Sequence, residues 1–113
     1  MEFSQERQEG VIVKQVHLTR ATKDHAEKFK KFLLKDINEK NNKVIVDLTE
    51  CEFIDSTFIS TLVIALKSVN KLKGSLKLVA VQSDVLSILE LTGLVKVFDV
   101  FKNLNEAMGS IAL

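Results

Sequence analysis

The run Val44-Ile45-Val46-Asp47-Leu48 is apolar at successive positions rather than at alternate ones. Side chains of a strand point to its two faces in turn, so this run reads as a strand buried on both sides, which calls for helices on both faces of a sheet. After a polar connection, Asp55-Ser56-Thr57 opens the strongest helical pattern in the chain. Ile59, Leu62, Val63, Leu66 and Val69 fall on one stripe, Ser60, Lys67 and Lys71 lie off it, and Gly74 is placed to close the helix at C′. Asp55 is a preferred N-cap, whose carboxylate accepts the first amide hydrogens. The Ser56 and Thr57 hydroxyls are thereby placed in the first turn, at the positive end of the helix dipole.

The flanks fit the same scheme. Residues 1–18 read as extended, with a short strand around Phe3, a turn at Gly10 and a second strand through Val11-Ile12-Val13 and Val16, near a sheet edge. From an N-cap at Thr22, the residues Ala26, Phe29, Phe32, Leu33 and Ile37 recur at helical spacing, and Asn41-Asn42 ends that helix. Beyond Gly74, Ser75–Val81 reads as a strand, carried by Leu76, Leu78, Val79 and Val81. Ser83 is placed to cap a short helix that buries Leu86 and Leu89 and stops at Thr92-Gly93. Val95–Phe101 reads as a last strand, and Asn103 with Glu106 as the capping box of a final helix with Ala107, Met108 and Ile111 on one side. The order β-β-α-β-α-β-α-β-α predicts one α/β domain over residues 1–113, a mixed and mostly parallel sheet with about four helices packed on it.

Most function classes find no support in these residues. A net charge of +1 gives no electrostatic case for nucleic acid or an anionic membrane. The lysines between Arg20 and Lys43 alternate with Asp24, Glu27, Asp36 and Glu39, the pattern of a solvated, ion-paired helix face. A lone Cys51 forms no internal disulfide and suits a reducing compartment, where it acts as a small apolar filler. The acidic start Met1-Glu2-Phe3-Ser4-Gln5-Glu6 is unlike a signal peptide, and no apolar run has the length of a membrane span, so a cytoplasmic location is expected. His17, in a strand, and His25, in a first helical turn, stand apart from any Cys/His cluster. Asp47 reads as a strand-end residue, and the four glycines form no phosphate loop. No cofactor, metal or catalysis is expected. The Asp55-Ser56-Thr57 turn remains, and hydroxyls at a helix start are by themselves explained by capping.

Taken together, VIVDLTECEFIDSTFISTLVIALKSVNKLKGSLKLVAV and, further on, LSILELTGLVKVFDVFKNLNEAM are similar to the STAS domain of bacterial anti-sigma factor antagonists. The likeness covers about residues 11–110. From Lys43 onward the strand, the I-D-S-T turn, the long helix, K-G-S-L-K-L-V and L-E-L-T-G-L-V-K-V-F occur in family order. The resemblance implies a non-enzymatic phosphoprotein. Ser56 matches the serine that an anti-sigma factor, itself a serine kinase, phosphorylates. The unphosphorylated antagonist binds that kinase and frees the sigma factor, phosphorylation breaks the complex, and a phosphatase acting on phospho-Ser56 restores it. Asp55 is then the acid before the acceptor, Thr57 a minor acceptor or contact, and Asp55, Ser56, Thr57 and Phe58 the partner-binding surface. Two stretches depart from the family pattern. Phe58 stands where a glycine is usual. Leu18-Thr19-Arg20-Ala21-Thr22 lacks the Gly and Leu-Asp pair whose Asp lies close to the acceptor serine in the family. These departures suit an alternative, a non-switching adaptor module in a larger regulatory or transporter complex. An exposed Phe58 would also favour self-association.

Overall fold

The computed structural model describes residues 1–111. Along it run β1 (Phe3–Gln8), β2 (Val11–Val16), β3 (Arg20–Ala21), α1 (Lys23–Asn38), β4 (Lys43–Asp47), β5 (Phe53–Ile54) and α2 (Ser56–Lys71). These are followed by β6 (Ser75–Val79), α3 (Ser83–Leu91), a 3-10 turn over Leu94–Lys96, β7 (Asp99–Phe101) and α4 (Leu104–Ile111). Five strands form one sheet in the order β1-β2-β4-β6-β7. β1 is antiparallel to β2, and every other pairing in that sheet is parallel. This is the mixed, mostly parallel sheet with four helices that the sequence order implies.

β4 lies at the centre of the sheet and is buried on both faces. Val44 and Val46 pack with Phe29, Leu33, Leu62 and Leu66 of α1 and α2, whereas Ile45 packs with Val11, Val13, Val79 and Ala107 under α4. The run of successive apolar residues thus sorts onto two helix layers by strand alternation. α1 and α2 lie side by side on the first layer, joined by the stacked rings of Phe29 and Phe58, 4.4 Å between centroids. The predicted stripe of α2 is largely buried, with Ile59, Leu62, Leu66 and Val69 inward and Val63 only half-buried.

Several local expectations are corrected. Gly74 does not take the left-handed position after α2; Lys73 does, at φ 58°. The amides of Lys73 and Gly74 bond the carbonyls of Asn70 and Val69, which is a Schellman closure. Gly74 is needed for a different reason. A Cβ there would sit 1.9 Å from the Asn42 carbonyl oxygen. α1 closes in the same way at Lys40, φ 71°. α3 has Gln82 rather than Ser83 at its N-cap; Leu89 is buried as expected, but its companion is Val85, and Leu86 is only half-buried. Val81 lies outside β6 and is exposed. Only Asp99–Phe101 of the predicted Val95–Phe101 strand pairs with β6, because the 3-10 turn takes up the residues through Lys96 and Val97 keeps a helical backbone; Val97 is 57% exposed. His17 falls one residue beyond β2. Asn103 accepts the Glu106 amide at 2.9 Å, as its capping role requires.

Candidate functional site

The turn before α2 is built around one carboxylate. Asp55 Oδ1 accepts the Phe58 amide at 2.9 Å, the expected N-cap. Its second oxygen, Oδ2, accepts the Lys23 amide at 2.8 Å, which is the first residue of α1. Thr22 occupies the N-cap position of α1, but its side chain makes no capping bond. One aspartate therefore caps two helices that start 33 residues apart in the chain, Lys23 and Ser56. Its own amide donates to the Ala21 carbonyl at 3.1 Å, which fixes the turn from a third side.

Ser56 and Thr57 are both exposed on the first turn of α2. Phe58 is not: it is fully buried, stacked on Phe29. Of the four residues assigned to a partner surface, the structure groups Asp55, Ser56 and Thr57 at the surface and turns Phe58 into the core. The basis for Phe58-mediated self-association goes with it. The ring anchors the turn to α1, and a glycine at this position would leave that anchor out.

The segment Leu18–Thr22 lies beside this turn. β3 pairs in parallel with β5, with Arg20 opposite Phe53 and Ala21 opposite Ile54. The Thr19 carbonyl accepts the amides of Glu52 and Phe53. The Arg20 guanidinium lies over the Phe53 ring, 4.3 Å from its centroid. Arg20, Thr22, Lys23, Asp24, His25, Phe53 and Asp55 line an open groove of about 560 Å³.

Other polar groups have structural partners. His17 Nδ1 is 2.7 Å from Glu50 Oε2, and its Nε2 is 2.7 Å from Ser4 Oγ. Asp47 ends β4 and accepts the Thr49 amide at 3.0 Å. Cys51 is buried, and burial, helped by the charges of Glu50 and Asp47, pushes its thiol up to about 12. It fills space as a thiol and is a poor nucleophile. Among the described residues no group of three or more His, Cys, Asp or Glu could hold a metal ion, and no helix is long and apolar enough to cross a membrane.

Three features escape a reading of the sequence: the second cap made by Asp55, the Arg20–Phe53 stack and a buried Lys14–Asp36 ion pair. Only the last left a signal, since Lys14 interrupts the alternation of β2. Lys14 is fully buried, and its ammonium donates to Asp36 Oδ2, Gln5 Oε1 and the Phe32 carbonyl. Asp36 was expected on the solvated face of α1; the structure buries it because that turn of α1 lies over Lys14 in the sheet.

The family model described as the STAS domain matches residues 22–107. A protein of Thermotoga maritima named as an anti-sigma factor antagonist is 30% identical over 89 residues, 78% of this chain and 79% of that one. A crystal structure of a Thermotoga maritima protein similarly named superposes with a TM-score of 0.88 at 26% identity, covering 96% of this chain and 93% of the other. The Bacillus cell fate determinant SpoIIAA, solved in its phosphorylated form, has a TM-score of 0.75 over 97% of this chain and 99% of its own, and at 13% identity it shares the fold.

Proposed function

The chain belongs to the STAS domain family, and from that premise we propose that it is a phosphorylation-switched anti-sigma factor antagonist with Ser56 as the acceptor. The unphosphorylated protein binds a kinase-type anti-sigma factor through Asp55, Ser56 and Thr57, and so frees a sigma factor. The kinase then transfers the γ-phosphoryl group of ATP. The Ser56 Oγ–P bond forms, the bridging bond from that phosphorus to ADP breaks, and the hydroxyl proton passes to a base of the kinase. A phosphatase reverses the step with water.

The observation that carries this reading is the setting of Ser56. Its side chain is exposed on the first turn of α2, while the turn beneath it is pinned by the two caps of Asp55 and the buried Phe58 ring. A phosphate of roughly −1.5 to −2 charges at a helix N-terminus is tolerated by the helix itself. The fold need not change; charge and bulk arrive in the middle of a docking surface. Introducing charge into a desolvated interface shifts binding by several kcal/mol.

A second reading has an observation of its own. Because Asp55 is fully employed in capping, the D-S-T triplet is explained without any switch, as a non-signalling adaptor module would need. Incubation with ATP and kinase-type anti-sigma factors separates the two. The switch reading expects one phosphate, mapped to Ser56 by peptide mass, with Thr57 a minor site at most. Ser56→Ala should bind without being modified, and Ser56→Asp should bind weakly. Equal binding by wild type and both variants would discard the switch.

A further inference from the structure

Resting on the reading that the Ser56 end docks a protein partner, we propose that the adjoining groove receives an acidic side chain of that partner between Arg20 and Lys23. Arg20 is presented to the groove in a specific way. Arg20 stands on a strand hydrogen-bonded to the segment that leads into the Ser56 turn, and its guanidinium is laid over the Phe53 ring. Stacking fixes the plane of the fork and leaves its edge donors free, so little conformational freedom is lost when they meet a carboxylate. Lys23 supplies a second cation to the lining, where α1 begins.

Among the described residues neither cation has an ion-pair partner. The ion pairs among the described residues are Lys14–Asp36, His17–Glu50, His25–Glu2, Lys28–Glu2 and Lys77–Asp99; Arg20 and Lys23 belong to none. The one carboxylate at the foot of the groove, Asp55, has both oxygens occupied by backbone amides. Asp24 is the only other acid in the lining, and His25 Nδ1 is buried without a hydrogen-bond partner. Two cations beside two acids, Asp24 and Asp55, suit a single carboxylate held by the Arg20 donors better than a polyanion.

The arrangement would set specificity. A partner with Asp or Glu at this position gains a charge-assisted contact, and one with Lys or Arg is repelled.

The test measures affinity for a kinase-type anti-sigma factor that binds the wild-type chain, at low and high salt. Arg20→Glu should weaken binding about tenfold or more, Arg20→Ala less, and both should flatten the salt dependence. Arg20→Lys should fall between wild type and Arg20→Ala. An acid-to-lysine change in the partner should restore affinity for Arg20→Glu. Thermal unfolding of each variant checks that this exposed residue leaves the fold intact. If Arg20→Glu binds like wild type while Ser56→Asp binds weakly, the groove proposal is overturned and the switch survives. Loss with Arg20→Glu but none with Ser56→Asp upholds the groove and removes the switch, and no loss with either removes both. Submillimolar binding of inorganic phosphate, seen as chemical-shift changes at Arg20 and Lys23 of the free protein, would assign the groove to a small anion and overturn the proposal.

Discussion

The two ends of α1 are held by two aspartates in contrasting ways. Near its C-terminal end, Asp36 is buried and faces the fully buried Lys14 of β2, whose ammonium also meets Gln5, the Phe32 carbonyl and, at 4.1 Å, the Phe32 ring. At its N-terminal end Asp55, which is not part of α1, reaches across from the α2 turn and accepts amides of both helices. The first arrangement takes two charges out of water and must recover that penalty through mutual attraction. The penalty is visible in Lys14, whose pKa burial lowers from 10.5 against the opposing pull of Asp36. The second uses one half-exposed charge to satisfy two otherwise orphaned donors, with little desolvation. A charge spent on core architecture is closed to partners. A charge spent on amides at the surface fixes a turn and leaves its neighbour, Ser56, open.

The largest effect expected from this contrast is at the buried end. Lys14→Met or Asp36→Leu alone should each cost about 3–5 kcal/mol in chemical denaturation, because an unpaired buried charge remains. The double variant should recover most of that loss. If it does not, the pair is a net source of stability and the contrast as drawn is broken. Phe58→Ala should cost about 3 kcal/mol or more by opening a cavity against Phe29. It should also loosen the Ser56 turn, read as faster amide exchange at Thr57 and Phe58. At the surface end, Asp55→Ala removes two caps at about 1 kcal/mol each, so about 2 kcal/mol. Amide exchange should rise at both Lys23 and Phe58; protection retained at Lys23 would show that the second cap carries no weight.

A separate effect appears only in alkali. The Cys51 thiol stands at about 12 in the fold against 9.0 ordinarily, so the unfolded chain loses its proton first. Stability should therefore fall as pH rises from 9.0 towards 12, and the difference between wild type and Cys51→Ala should narrow over that window. The smallest effect belongs to Ser56→Ala, within about 0.5 kcal/mol, as expected of an exposed residue whose neighbour does the capping. A large loss there would make Ser56 a structural residue and erase the distinction between the two ends.

The architecture was legible wherever the signal was local and periodic. The unbroken apolar run of β4, the stripe of α2, the Asp55 cap and the Asn103 cap could be read from spacing alone, since strand and helix periods and capping preferences act within a few residues. Boundaries set by neighbours were not. β7 is short because the 3-10 turn and the helical backbone of Val97 occupy the residues before it, and Gly74 is a glycine because Asn42 packs against it, while Lys73 takes the left-handed turn.

The candidate site divides along the same line. The sequence by itself determined that Ser56 and Thr57 begin a helix, that Asp55 caps it, and that the chain alternates strands and helices in family order. It left Phe58 undecided between core and surface, because an aromatic at the start of a helix fits either. Only the tertiary structure turned Phe58 onto Phe29, gave Asp55 its second helix, sank Lys14 and Asp36 into one pair and laid Arg20 over Phe53 beside the turn. Each of these joins residues 20 or more positions apart. Such contacts depend on how layers pack, and no local preference of the chain encodes which side chains the packing will bring together.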